Sequence, residues 1–291
     1  MKKMLLIPLA LLLLLLTGCE IKIDRRDLLL RYDARSDTLE CIGINEGICA
    51  SKKGDIPKAR QAIIECLNGQ RTIQLGCFTE IPFDRDDFSA CPEVMWANQQ
   101  VVLDSVKIYL DDEERLSGVQ RFHVRQFSQV LAVLNRTLHR NVLEELSHRD
   151  LDETRGEGDL DESSIKLMLD SAARNIPWFR LEGDELVAEI PMSREYWDTF
   201  RKKLLCATLG NNEASFSSLA QIYLQLSDVQ WQNDALHLRL GGLINGTVVV
   251  ESVANLEYDD GLLHALEESG YSPDPDVTAS SVRNWLQPEE F

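Results

Sequence analysis

Positive charge is scarce in this chain of 291 residues. Thirty lysines and arginines stand against 48 aspartates and glutamates, a net charge of −18. Nucleic acid and an anionic bilayer surface both call for a broad basic patch, so neither is expected as the main partner. Long apolar runs are scarce too. The block Met4–Leu16 has 13 residues, short of the roughly 20 that a bilayer-spanning helix needs. There is no Cys-x-x-Cys pair, which removes the usual frame of a zinc ribbon or a thioredoxin-like redox site. His-Glu-x-x-His, Gly-x-Ser-x-Gly and a phosphate-cradling glycine loop are missing as well. Four of the five histidines sit in no motif, and the fifth, in Glu145-x-x-His148, resembles half of a di-iron carboxylate motif whose second copy is missing. Low complexity and long-period repeats are absent. The sequence therefore names no catalytic residue.

The amino end is more informative. Met1-Lys2-Lys3 is a short basic start, and six consecutive leucines run from Leu11 to Leu16. A positive start, a short apolar core and small residues before a cleavage point make a secretory signal. The block ends in Leu16-Thr17-Gly18-Cys19. That stretch resembles the lipobox of bacterial lipoproteins, and the resemblance covers residues 1–19 only. It implies diacylglycerol on the Cys19 sulfur, cleavage after Gly18 and acylation of the new amino group. Two or more acyl chains anchor a protein stably where one does not. The expected partner through Cys19 is thus the membrane, and the expected place is the cell envelope. In Gram-negative lipoproteins an aspartate after the cysteine tends to retain the protein at the inner membrane. Glu20 stands there instead, which favours the outer membrane if the host is Gram-negative. The competing readings are a transmembrane anchor, or a plain signal peptide with a chance cysteine.

Cleavage would remove Lys2 and Lys3 and leave 28 basic residues against 48 acidic ones. Six cysteines would remain besides Cys19: Cys41, Cys49, Cys66, Cys77, Cys91 and Cys206. An even count in an oxidising compartment favours disulfides. Five of the six lie within residues 41–91, and at least one bridge is expected there. The alternative is buried thiols, and Cys66 and Cys206, each among apolar neighbours, read that way.

Patterning gives an α+β class, with antiparallel hairpins alternating with amphipathic helices in one or two lobes. A hairpin is expected over residues 21–44, interrupted near Asp24–Asp27 because the apolar parity changes. Asp55-Ile56-Pro57 starts a helix that Asn68-Gly69 stops. Residues 70–100 read as irregular. Val102, Val106, Ile108 and Leu110 are assigned to one strand face, followed by an acidic turn at 111–114. The clearest helix covers about 126–148, with Phe127, Leu131, Leu134, Leu138 and Val142 in its stripe. Further hairpins surround Gly183 and Asn233-Asp234. The expected domains are a signal peptide at 1–18, an N-terminal lobe at 19–149, an acidic linker at 150–162 and a C-terminal lobe at 163–291.

That acidic stretch is the candidate metal site. Asp150, Asp152, Thr154, Asp161 and Glu162 offer oxygen ligands around Gly156 and Gly158, as a calcium loop does. It resembles an EF-hand loop loosely. Arg155 stands where the sharp-turn glycine belongs, and Asp161 where a bidentate glutamate is usual. A solvated linker is the competing reading. Trp178 and Trp231 begin hairpins and read either as core or as the lining of a partner groove. His237 alternates with Leu236 and Leu238, which suggests a solvent-facing position. Asn135-Arg136-Thr137 matches a glycosylation acceptor by chance. The reading that follows is a membrane-anchored binding or scaffold protein for an envelope protein or glycan, without cofactor. The alternatives are a hydrolase with a carboxylate pair about 5–10 Å apart, or a calcium-stabilised domain.

Overall fold

The structure is a computed structural model that describes residues 21–69, 73–74, 77–80, 91–146, 161–183, 185–199, 228–241, 248–253 and 256–285. The chain opens with β1 (Ile21–Lys22), β2 (Arg25–Asp33), β3 (Thr38–Glu46) and β4 (Cys49–Ala50). Helix α1 (Ile56–Leu67), β5 (Ile73–Gln74), β6 (Cys77–Glu80) and α2 (Pro92–Gln100) follow. Next come β7 (Val101–Leu110), β8 (Leu116–Arg125), α3 (Phe127–Leu146) and α4 (Glu162–Ala173). Strands β9 (Phe179–Glu182), β10 (Glu185–Pro191), β11 (Asp228–Gln232) and β12 (Ala235–Leu240) lead to β13 (Val248–Val253). Helices α5 (Gly261–Glu268) and α6 (Ala279–Asn284) close the order. All described strand pairs are antiparallel, and the class is α+β. No helix among the described residues is long and apolar enough to cross a membrane.

Two compact units share the chain. One gathers the described residues of 16–127 and 242–291, the other those of 128–241. This differs from the expected division at 150–162, most of which lies outside the described residues. The expected C-terminal lobe also breaks up, because β13 pairs with β2, with Val250 opposite Leu28. Composition marks a charged loop as exposed. It carries no information about which sheet a distant strand joins.

The first unit holds a five-stranded sheet, in the order β13-β2-β3-β8-β7. The parity change in residues 21–32 is met by a break at Ile23–Asp24. Asp33 accepts from the Arg35 amide at 2.9 Å, and Asp37 turns with φ 49°, closing the β2–β3 hairpin. One sheet face carries Leu29, Ile42, Ile44, Tyr109 and Val119, and Val277, Ala279 and Val282 cover it. The other presents Ile108 and Leu116 to Ile63 and Cys66 of α1 and to Leu262 and Leu266 of α5. Ile56, Ile63, Cys66 and Leu67 recur at helical spacing, which is why α1 can bury one stripe here. A bulge at Asp104, between Leu103 opposite Phe122 and Ser105 opposite Arg121, reverses the parity of β7. Val102 therefore leaves the face assigned to Val106 and Ile108, and pairs with His123.

Charge is buried at one end of this sheet. Arg115 reaches Asp24 at 2.8 Å and Asp111 at 3.1 Å. Asp111 also accepts from the amides of Glu113 and Arg115, so the acidic turn at 111–114 is organised around one carboxylate. Asp24 takes the Leu256 amide at 2.8 Å, fastening the returning chain. Gly47 turns at φ +65°, and a Cβ there would lie 2.8 Å from the Asp24 Cβ, so this corner demands glycine. Arg283 of α6 holds Glu46 at 3.0 Å, a side chain only 4 % exposed.

The second unit holds a four-stranded sheet, in the order β11-β12-β10-β9. Ala188, Ile190, Leu236 and Leu238 share the face packed against Leu138, Val142, Ile165 and Met168 of α3 and α4. Asn233 and Asp234 both turn at positive φ, 54° and 57°, as a two-residue hairpin with this sequence requires.

The disulfide expected within residues 41–91 is not made by Cys41, Cys49, Cys66 or Cys91, which are in the thiol form. Cys41 faces the core of β3 and Cys66 that of α1, so each serves as a small apolar side chain. Burial pushes the Cys41 thiol well above its ordinary range and the Cys49 thiol upward. The side chain of Cys77, Cys19 and Cys206 lie outside the described residues.

Candidate functional site

Of the five residues expected to bind metal, Asp161 and Glu162 lie among the described residues. Asp150, Asp152 and Thr154 lie outside the described residues, as does Cys19. Asp161 is the N-cap of α4 and accepts from the Ser164 amide at 2.6 Å. Its second oxygen accepts a short hydrogen bond from the Ser193 hydroxyl. Ser193 donates its amide to Ser164 Oγ at 2.8 Å and receives the Tyr196 amide at 3.0 Å, at the head of the helical residues 194–199. Asp161 thus ties two helix starts, with both oxygens engaged. Glu162 sits in the first turn of α4, where the helix dipole favours negative charge. Among the described residues, no three His, Cys, Asp or Glu side chains form a group that could hold a metal.

A groove of about 440 Å³ opens between α3 and the chain entering β9. Its apolar lining comes from Leu131, Ala132, Pro177, Phe179 and Leu181. Asn135 and His139 stand within it, and Arg136 and Arg180 flank it. The volume is that of an ordinary small-ligand cleft. No acidic residue is among those lining it, so it offers no carboxylate pair for glycoside chemistry.

Asn135 builds this groove. Its amide nitrogen donates to the carbonyls of Leu131 at 2.9 Å and Phe179 at 2.7 Å. Its oxygen accepts from the amides of Trp178 at 2.7 Å and Phe179 at 2.9 Å. One buried side chain therefore saturates its own bonding and fixes the chain entering β9. That burial also leaves no room for a glycan on Asn135. Trp178 is fully buried, with its indole N–H on Ser171 Oγ at 2.9 Å. It is core, not groove lining. Trp231 is half-buried, with the Arg194 guanidinium 5.9 Å from its ring centroid.

His139 packs edge-on to Trp178, with ring centroids 5.3 Å apart. Burial pushes its pKa below the ordinary histidine value, against a hydrogen bond to the backbone of Ile176. Nε2 is buried without a partner. Burial therefore favours the neutral ring, in which the nitrogen without a partner is an acceptor.

The opposite face of the four-stranded sheet carries charge. Arg180 lies between Glu182 at 2.5 Å and Glu189 at 2.7 Å, and Arg239 between Glu185 at 2.6 Å and Glu182 at 3.3 Å. His237 is on this face, as its alternation with Leu236 and Leu238 requires, but it is only 5 % exposed. Alternation assigns a face; it does not say whether that face is covered.

Sequence reasoning missed Asn135 and His139 as groove residues. One signal was present: Asn135 falls four residues after Leu131, on the apolar stripe of α3, where an unexplained polar residue implies a buried hydrogen-bonding task. Protein-family models, curated proteins and solved structures offer no significant match to this chain.

Proposed function

We propose that this chain is a membrane-anchored bacterial lipoprotein, held through acyl chains on Cys19, whose folded units bind an envelope protein or glycan. The observation that carries the anchor is Leu16-Thr17-Gly18-Cys19 after the basic start and apolar block. The groove beside Asn135 supports the binding half: it is concave, apolar and flanked by hydrogen-bonding side chains. The tether is short. Ile21 already pairs with Ala50, so only Glu20 separates the anchor from folded backbone. The unit that begins at Ile21 is therefore held close to the bilayer.

The anchor is tested by fractionation and intact mass. Cys19→Ala should move the protein from membrane to soluble fractions and remove the acyl mass. An unchanged distribution would refute the anchor. The groove is tested by crosslinking in intact envelopes. Ala132→Arg places a long cation in the apolar cleft from an exposed position. It should abolish the crosslinked product while leaving the melting temperature unchanged. Recovery of the same product would assign binding to another surface.

A further inference from the structure

Charge in this acidic chain is not evenly spread. Residues 50–60 hold Lys52, Lys53, Lys58 and Arg60 against a single acid, Asp55. The pairing of β1 with β4 brings Lys22 to the same corner, opposite Cys49 and next to the Ile21–Ala50 pair. Lys52 follows Ala50 by two residues, and Lys53 opens the single turn that leads into α1. Lys22, Lys52 and Lys53 are all exposed. Among the described residues none of the three has a carboxylate partner. Nearby acids are engaged elsewhere: Asp24 by Arg115, Asp259 by the Gly261 amide and Asp260 by His264.

Distance from the anchor gives this corner a use. An extended chain spans at most about 3.6 Å per residue, so Lys22 can lie no more than about 11 Å along the chain from Cys19. No other described element starts so near the lipid. The large negative charge of the whole protein does not decide the matter. Screening at physiological salt extends over about 8 Å, so an anionic leaflet acts on the charges at the contact and hardly on those across the unit. A tether also supplies a high local concentration, so weak attractions count.

We propose that Lys22, Lys52 and Lys53 form a docking corner for anionic phospholipid headgroups, which orients the five-stranded unit on the bilayer that holds Cys19. This rests on the lipid-anchor reading. Each lysine at a leaflet rich in anionic lipid adds about fivefold to the population of the docked orientation.

The test places the lipidated full chain in vesicles of phosphatidylcholine, alone or mixed with phosphatidylglycerol. An amine-acetylating reagent then reports lysine access by mass spectrometry. Labelling of Lys22, Lys52 and Lys53 should slow about fivefold or more on the anionic vesicles, while Lys107 and Lys166 keep one rate on both. High salt should erase the difference. Lys52→Glu with Lys53→Glu should restore Lys22 labelling on anionic vesicles without changing the melting temperature. Equal labelling on both vesicles overturns the corner. Flotation separates the two readings. A chain that floats yet labels equally refutes only the corner, whereas a chain that does not float refutes the anchor and the corner with it.

Discussion

Arg115 in the five-stranded unit and Arg239 in the four-stranded unit are alike on paper. Each bridges two or more carboxylates at 2.6–3.3 Å. Their surroundings differ. Arg115 is 17 % exposed and its partner Asp111 only 2 %, whereas Arg239 and its two glutamates are each about a third exposed. The same chemistry therefore does two jobs. At Arg115 it neutralises charge that the fold has buried, and the returning chain at Leu256 is fastened to the same Asp24. At Arg239 it decorates a half-wet sheet face. In the four-stranded unit a neutral buried group, Asn135, holds the chain entering β9.

The largest expected effect tests the first half of that contrast. Arg115→Ala leaves Asp111 buried without its counter-ion, and breaking such a pair from one side costs about 3–5 kcal/mol. Denaturant unfolding should show a loss of that size, with the β13–β2 pairing the first to exchange its amide hydrogens. A loss below about 1 kcal/mol, the range of surface pairs, would mean that water enters the corner and the burial argument is wrong.

Next is Asn135→Ala. It strands the amides of Trp178 and Phe179 and the Phe179 carbonyl at the entry to β9. Each buried group left unpaired costs about 1–3 kcal/mol, so a loss of about 2–4 kcal/mol is expected, partly relieved by water entering the groove. If Asn135→Ala unfolds like the parent, the groove is solvated through to the backbone. Asn135→Asp would sharpen the point. It keeps the acceptor for two amides but loses the donor to two carbonyls, and should fall between parent and alanine.

Much of the secondary structure was legible because local signals carried it. Asp55-Ile56-Pro57 and Asn68-Gly69 bracket α1, and the hairpins at 33–38 and 233–234 follow from turn residues. Failures came where the deciding information was not local. The helix α2 fell in a stretch read as irregular; its N-cap is Cys91, which makes no side-chain cap, and its buried stripe is only Val94, Ala97 and Gln100. The bulge at Asp104 reversed part of β7, and its carboxylate now meets His123 Nδ1 at 2.9 Å. Neither residue advertises the bulge in sequence. The return of β13 to β2 depends on pairing between distant segments, which composition cannot report. The groove was illegible for the same reason: Asn135 and His139 acquire a role only once residues 175–181 fold against α3.

The two units should also answer pH on opposite sides. Tyr32, in the five-stranded unit, has its phenol pushed up to about 12 by burial and by its 2.6 Å hydrogen bond to Asp37. A raised pKa means that stability is complete below the unfolded value near 10 and is lost as pH rises towards 12. The loss appears only towards the alkaline limit, and Tyr32→Phe should flatten it. His139, in the four-stranded unit, is shifted downward by burial. Its contribution is present above the unfolded value near 6.5 and is lost as pH falls through the depressed one. Amide exchange around Trp178 should quicken in mild acid, while β2 and β3 hold. His139→Gln, which keeps a donor for Ile176, should remove the acid response. Loosening of both units at the same acid pH would show that they unfold as one body and that the contrast is lost in cooperativity.

The smallest effect belongs to Arg239→Ala. Glu182 and Glu185 would lose a partner, but both are about one-third exposed, and water replaces a guanidinium readily at that depth. The pull of Arg180 and Arg239 holds the Glu182 carboxyl below its usual range, with the Arg180 hydrogen bond as the larger cause. Removing Arg239 leaves that larger partner in place. Exposed pairs contribute about 0.2–1 kcal/mol, so the change should sit at or below that range and shrink further in high salt. Side by side with Arg115→Ala, the ratio of the two losses measures burial, since the contact distances are nearly the same. If Arg239→Ala proved as costly as Arg115→Ala, the charged face of the four-stranded sheet would have to be covered, and the burial of His237 on that face points to where the cover would lie.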